Sequence, residues 1–333
     1  MRHANISIFV PHVGCPHRCS FCDQNAITGT AELPSAADVH SAVETAKASK
    51  GYRPSETEIA FFGGSFTAID ANYRRELLDA AYTHVLSGEV GGIRLSTRPD
   101  AIDADILDEL SRYGVTSIEL GAQSMDDAVL VANGRGHTVD DVVRASRMIK
   151  KTGFSLGLQM MTGLYGSTRE KDIMTAERFI ELAPDTVRIY PTIIIKGTRL
   201  GELYESGEYR TDDLRSAVEL CSELLAMFSM ADIRVIRLGL HTIDEDSYLS
   251  GPWHPAFREL CESELYYRAV KTGLMEKGKY IISVNPKAIS KMTGQGKYNI
   301  RRLYEDGYDC TVTPDAKLGE GECKIIKTEE SGK

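Results

Sequence analysis

The sequence predicts an α/β protein built on a parallel sheet, and three observations lead there. Short runs rich in β-branched and apolar residues alternate with longer, helically spaced segments through the first 240 residues. Nearly every run is followed by one such segment, which is the connection parallel strands need. Hydrophobic residues make up 42% of the chain and charged residues 26%, the balance of an ordinary globular protein. Periodicity alone leaves open a doubly wound sheet or a full or partial barrel. Either architecture gathers ligands at the carboxyl ends of its strands.

In chain order, the strand-like runs are ISIFV (6–10), EIAFF (58–62), IRLST (93–97), TSIELG (116–121), SLGLQMM (155–161) and TVRIYPTI (186–193). Helical spacing occupies 36–49, 71–87, 103–113, 139–152 and 169–182. Asp103 is placed to cap one of these helices, and Thr138 with Asp141 forms a capping pattern at another. The alternation stops near residue 240, where Gly251, Pro252 and Pro255 break regular structure. A helix over about 256–272 puts Phe257, Leu260, Cys261, Leu265 and Tyr266 on one face. The expected organisation is a barrel or sheet domain over 1–240, an extension over 241–277 and a small basic domain over 278–333.

The net charge of −9 excludes a surface that binds nucleic acid everywhere, although not a local basic patch. No run approaches the length of a membrane span, and MRHANISIFV is too short in apolar residues for a signal peptide, so a cytoplasmic location is expected. Seven cysteines in such a chain are expected to be thiols. Cys221, Cys261, Cys310 and Cys323 show no ligand spacing and read as ordinary thiols.

Cys15, Cys19 and Cys22 differ, since they lie together in GCPHRCSFCDQ just beyond the first strand. A structural zinc site normally closes with four ligands, and the candidates for a fourth, His12 and His17, crowd the same short loop. An iron–sulfur cubane on three thiolates instead leaves one iron open to a ligand. The spacing CxxxCxxC, with Phe21 before the last cysteine, strongly resembles that of the radical SAM superfamily. The resemblance implies a partial (β/α)6 TIM-like barrel. It also implies a 4Fe–4S cluster on Cys15, Cys19 and Cys22, whose open iron binds S-adenosylmethionine (SAM) and whose electron releases a 5′-deoxyadenosyl radical.

Further motifs carry the same resemblance. FFGGSFT (61–67) matches the glycine pair that receives the methionyl amine of SAM, here Gly63 and Gly64, although Ser65 stands where Glu is usual. STRPD, ELGAQSMDD, GRGHT, GLQMMTGLYG and YPTIIIKGTRL resemble the branch holding the Elongator catalytic subunit and the oxygen-independent coproporphyrinogen oxidases. Position by position, Ser96 and Gln123 match contacts to the ribose or methionyl part of SAM. Arg135 matches a guanidinium on its carboxylate, and Gln159 a ribose position that is Asp in the porphyrin enzymes. The Elongator-like side fits better and implies transfer RNA as substrate. The acetyltransferase domain of that family is not seen after the barrel, so its acetyl-dependent reaction is not assigned. A low-potential ferredoxin or flavodoxin is the implied electron donor. The alternative is a small-molecule substrate such as a tetrapyrrole.

The last segment adds a separate hint. From Glu276 to Arg302 there are seven cations, Lys277, Lys279, Lys287, Lys291, Lys297, Arg301 and Arg302, against one acid. Within it MTGQGKYNIRRL resembles the KH loop, in which a GxxG turn grips a nucleic-acid backbone before a helix. Gly294 matches the first glycine, and Lys297 replaces the second. Arg234, Arg237, His241, Trp253 and His254 could line the open side of a barrel, and none is assigned a catalytic role.

Overall fold

The computed structural model describes residues 4–11, 19–22, 32–240 and 246–328. Its strands are β1 (Ala4–Val10), β2 (Thr57–Gly63), β3 (Gly92–Thr97), β4 (Val115–Gln123), β5 (Ser155–Thr162), β6 (Thr186–Pro191), β7 (Ile194–Ile195), β8 (Arg234–Leu238) and β9 (Tyr248–Ser250). Strands β1 to β6 and β8 form one sheet in sequential order, every neighbouring pair parallel. Strand twist and helices on one face curl such a sheet into a half-barrel. It holds one strand more than the six read from the sequence. The added strand, β8, is supplied through the helix Leu214–Met230.

Alternation decides which side chains face which way. Phe61, Leu95, Ile118, Leu158 and Ile189 point outward into the layer between sheet and helices and are essentially buried. Burying each such side chain contributes roughly 1.5–3 kcal/mol. The helices start where their caps place them. Asp103 accepts from the Ile106 amide, and Thr138 forms a reciprocal capping box with Asp141.

After the barrel, the helix Phe257–Gly273 packs along the helix Leu214–Met230, and the Arg268 guanidinium donates to the Glu219 carbonyl. The other face of Phe257–Gly273 supplies Tyr266 and Val270 to a second, smaller core. That core belongs to β10 (Gly278–Val284), the helices Ile289–Thr293 and Tyr298–Glu305, β11 (Tyr308–Pro314) and β12 (Cys323–Lys327). Their sheet runs β11-β10-β12, parallel then antiparallel. Between its two helices lies the GQGK turn. Gly294, Gly296 and Lys297 all have positive φ there, and a Cβ on Gly294 would lie 2.9 Å from the Asn299 amide nitrogen.

Candidate active site

Of the three clustered cysteines, Cys15 lies outside the described residues, as do His12 and His17. Cys19 and Cys22 close a turn, with the Cys22 amide donating to the Cys19 carbonyl at 3.2 Å. The segment between them is tied down on both sides. The Ser20 amide and hydroxyl donate to the Asn133 carbonyl and side-chain oxygen, and the Leu200 amide donates to the Ser20 carbonyl. Phe21 packs beside Leu200, Leu203 and Tyr209. The aromatic within the cysteine motif thus anchors the loop to the barrel.

The end of β4 faces this turn. Arg135 donates from Nη1 to the Cys19 sulfur at 3.1 Å and from Nη2 to the Gly121 carbonyl. Gln123 ends the strand at φ 68°, a left-handed conformation that costs a non-glycine residue of order 1–3 kcal/mol. Its amide nitrogen and the Arg135 guanidinium both border Gly121. His137 bonds the Ala122 carbonyl through Nε2 at 3.1 Å. Burial, and then the Arg135 charge, pulls its pKa down to about 4, so the ring is neutral and its Nδ1 is an acceptor. Gln123 Oε1, Arg135 Nε and His137 Nδ1 are all buried without a hydrogen-bond partner among the described residues. Three such atoms at one strand end form a polar surface that could bond a ligand.

Deeper in the barrel the charged groups of β2, β3, β4 and β6 are matched, although the buried Thr186 hydroxyl near Glu119 has no hydrogen-bond partner among the described residues. Glu119 on β4 accepts from Arg188 on β6 and, at 2.8 Å, from Arg94 on β3. Arg94 also donates to Glu58 on β2 at 2.8 Å. Burial alone would raise the Glu119 pKa, but the Arg188 and Arg94 charges outweigh it and hold it below the usual carboxylate range. Gln159 donates to Glu119 at 3.0 Å and to the Ser96 hydroxyl at 3.3 Å, so both predicted residues belong to this layer. Arg188 lies over the Phe62 ring, 5.1 Å from its centroid. Glu58, Arg94, Glu119, Arg188 and His137 were not singled out from the sequence. The available signal was a lone charge inside each of several apolar strand runs.

The glycine pair sits at the end of β2. A Cβ on Gly63 would lie 2.4 Å from the Val10 carbonyl, and the Gly64 amide donates to that same carbonyl at 2.9 Å. Ser65, where the resembled motif has Glu, is fully buried. It bonds Thr97 Oγ1 at 2.8 Å and accepts from the Arg98 amide at 3.2 Å. Its hydroxyl therefore fastens β2 to β3. The six predicted SAM-contact residues thus fall at three places: Gly63 with Gly64, Gln123 with Arg135 beside Cys19, and Ser96 with Gln159.

The basic segment is narrower than its sequence suggests. Lys291 pairs with Glu262 at 2.8 Å, and Arg302 pairs with Glu264 at 2.6 Å while lying 3.5 Å from the Tyr267 ring centroid. Both are spent in holding the small domain to the helix Phe257–Gly273. Lys287 stands 3.7 Å from Glu320. Lys277, Lys279, Lys297 and Arg301 have no acidic partner within ion-pair distance among the described residues.

Residues 9–179 match the model of the radical SAM superfamily, and residues 184–267 match that of the radical SAM C-terminal domain. An uncharacterised protein of Methanocaldococcus jannaschii is 30% identical over 255 residues, covering 73% of this chain and 77% of that protein. Elongator complex protein 3 of Schizosaccharomyces pombe is 32% identical over 199 residues, covering 54% of this chain and 37% of that protein. A tRNA uridine(34) acetyltransferase of M. jannaschii is 29% identical over 192 residues, 52% of this chain and 36% of that protein. The chain thus spans about a third of the length of these two longer relatives. In fold it is similar to the solved archaeal Elp3 of Methanocaldococcus infernus, with a TM-score of 0.66 over 84% of this chain and 66% of that one, at 22% identity. The chain belongs to the radical SAM superfamily, whose members are SAM-dependent enzymes using a 4Fe–4S cluster, and it is homologous to Elongator-type proteins. No helix among the described residues is long and apolar enough to cross a membrane.

Proposed function

We propose that this enzyme modifies RNA, with transfer RNA as the substrate. The observation that carries the RNA reading is the GQGK turn. Its exposed residues Gln295, Gly296 and Lys297 lead into the helix Tyr298–Glu305, and Arg301 follows Lys297 by one helical turn, neither cation having an acidic partner among the described residues. A relative named for transfer RNA uridine supports the same substrate class.

The residues present fit the cofactors. Cys19 and Cys22, together with Cys15, would hold the cluster, and the Arg135 guanidinium on the Cys19 sulfur suits a ligand carrying negative charge. Gly63, Gly64, Ser96, Gln123, Arg135 and Gln159 would hold SAM, and the partnerless atoms of Gln123 and Arg135 are the observation that favours it. When bound, the pair supplies reductive cleavage of SAM to a 5′-deoxyadenosyl radical. The protein's part is to orient and to exclude water. Arg135 links the cysteine loop to β4, and Glu119 fixes the amide of Gln159.

The test is 5′-deoxyadenosine release by the anaerobically reconstituted, reduced enzyme, with and without RNA from a strain lacking the gene. An RNA-dependent rise is expected, and it should shrink when Lys297 and Arg301 are both changed to Glu. Release indifferent to RNA would sink the substrate assignment.

A further inference from the structure

Strand β8 is the open edge of the barrel and carries a bulge. Val187 pairs with Val235, but Arg188 pairs with Arg237, so Ile236 is the extra residue. Strict alternation would put Arg237 on the face of Val235, which is in the core beneath the helices. The bulge turns it instead onto the inner face beside Arg188, and Leu238 returns to the core at 4% exposure.

Two guanidiniums side by side on neighbouring strands repel each other. Arg188 is answered by Glu119 through two hydrogen bonds, and Arg94 by Glu58 and Glu119. Arg237 has no acid among the described residues. Its Nε donates to the Gly239 carbonyl at 3.1 Å, and its side chain makes no other hydrogen bond among the described residues. Burial and the Arg188 charge act against its protonated form, while Tyr190 favours it. Arg188 is itself the register partner of Gln159, which places Arg237 two strands, or about 10 Å, from the proposed SAM layer. Arg237 also borders a cavity of about 490 Å³ along the free edge of β8, whose other charged lining residues are Arg258, Glu259, Glu262 and Lys291, with Glu262 paired to both Arg258 and Lys291.

We propose that Arg237 is a substrate-anchoring residue that binds an anionic group entering the barrel past the small domain. Given the RNA reading above, on which this rests, that group is a phosphate next to the target nucleotide. Neither terminal nitrogen of the guanidinium has a hydrogen bond among the described residues, and a phosphate would relieve the repulsion from Arg188.

Phenylglyoxal adducts at Arg237 are counted by peptide mass spectrometry on the cluster-loaded enzyme, with and without an anticodon stem-loop RNA. Binding of that RNA is followed by fluorescence anisotropy. The RNA should protect Arg237. Arg237→Ala should weaken RNA binding about tenfold or more, Arg237→Lys should recover part of it, and SAM affinity by equilibrium dialysis should not move. RNA that binds with unchanged affinity to Arg237→Ala and leaves Arg237 unprotected overturns the inference, while the RNA reading survives. Failure of the wild-type enzyme to bind RNA removes that reading instead. Inorganic phosphate is then the probe: protection of Arg237 keeps the anion site, and no protection ends it.

Discussion

Along β4, Glu119 and Gln123 are four residues apart, yet their side chains meet opposite surroundings. Glu119 is 1% exposed and has every lone pair directed at Arg94, Arg188 or Gln159. Gln123 is held in a left-handed conformation, and among the described residues its side-chain oxygen has no hydrogen-bond partner, nor do Arg135 Nε and His137 Nδ1. An unsatisfied buried polar group costs about 1–3 kcal/mol, so a fold that keeps three at one strand end forgoes stability there. The difference separates two jobs within one barrel. The Glu58, Arg94, Glu119 and Arg188 charges of the lower layer are tied off and fix the strands, although the Thr186 hydroxyl beside them has no partner among the described residues, whereas the upper layer is left open toward the cysteine turn.

The comparison can be broken first at Glu119. Glu119→Gln leaves Arg188 without a counter-charge and Arg94 with only Glu58, and should cost about 3–5 kcal/mol in urea denaturation. A loss below about 1 kcal/mol would mean that these guanidiniums simply turn to water, and that the lower layer is not pinned by charge.

A pH profile sharpens it further, because the buried acid near the mouth lacks the cations that serve Glu119. Asp172 accepts from the Gly163 amide and the Ser167 hydroxyl, yet burial pushes its pKa up from the ordinary 3.8 to about 6. Between those values the native residue keeps a proton that the unfolded chain has released, so its contribution to stability falls as pH rises. His137, lowered from 6.5 to about 4, does the reverse, because the unfolded imidazole takes up a proton the native one refuses. The two slopes oppose each other. Asp172→Asn leaves the His137 slope alone, so its stability relative to wild type should rise by about 1 kcal/mol between about pH 5 and pH 6. Parallel profiles for the two proteins would show that Asp172 is ionised throughout.

Much of this was legible in the sequence, for reasons that differ by region. The six strand runs and their helices follow from period and capping, and the ends at Asp103 and Thr138 are set by local hydrogen bonds that a sequence displays directly. The seventh strand was missed because RVIRL is short and carries two arginines, and only the bulge at Ile236 explains how one of them faces inward. Cys19 and Arg135 were legible as motif members, and their contact rests on a 116-residue separation that no local pattern encodes. The ion-pair layer was hidden for the same reason, since Glu58, Arg94, Glu119 and Arg188 come from four strands and meet only when the sheet curls. The basic segment was over-read: counting charges from 276 to 302 could not reveal that Glu262 and Glu264, one helix earlier, take up Lys291 and Arg302.

The most direct test of the open upper layer is thermal unfolding of the cluster-loaded enzyme and of its Gln123→Met variant, each with and without SAM. Methionine keeps the length of the side chain and removes the partnerless oxygen. If the polar atoms at the end of β4 are kept for the ligand, the variant without SAM should melt no lower than the wild type. The rise in Tm that SAM gives the wild type should then be largely lost. A variant that melts lower on its own and still gains the full increment from SAM would contradict the account, because Gln123 would then serve the fold and not the ligand.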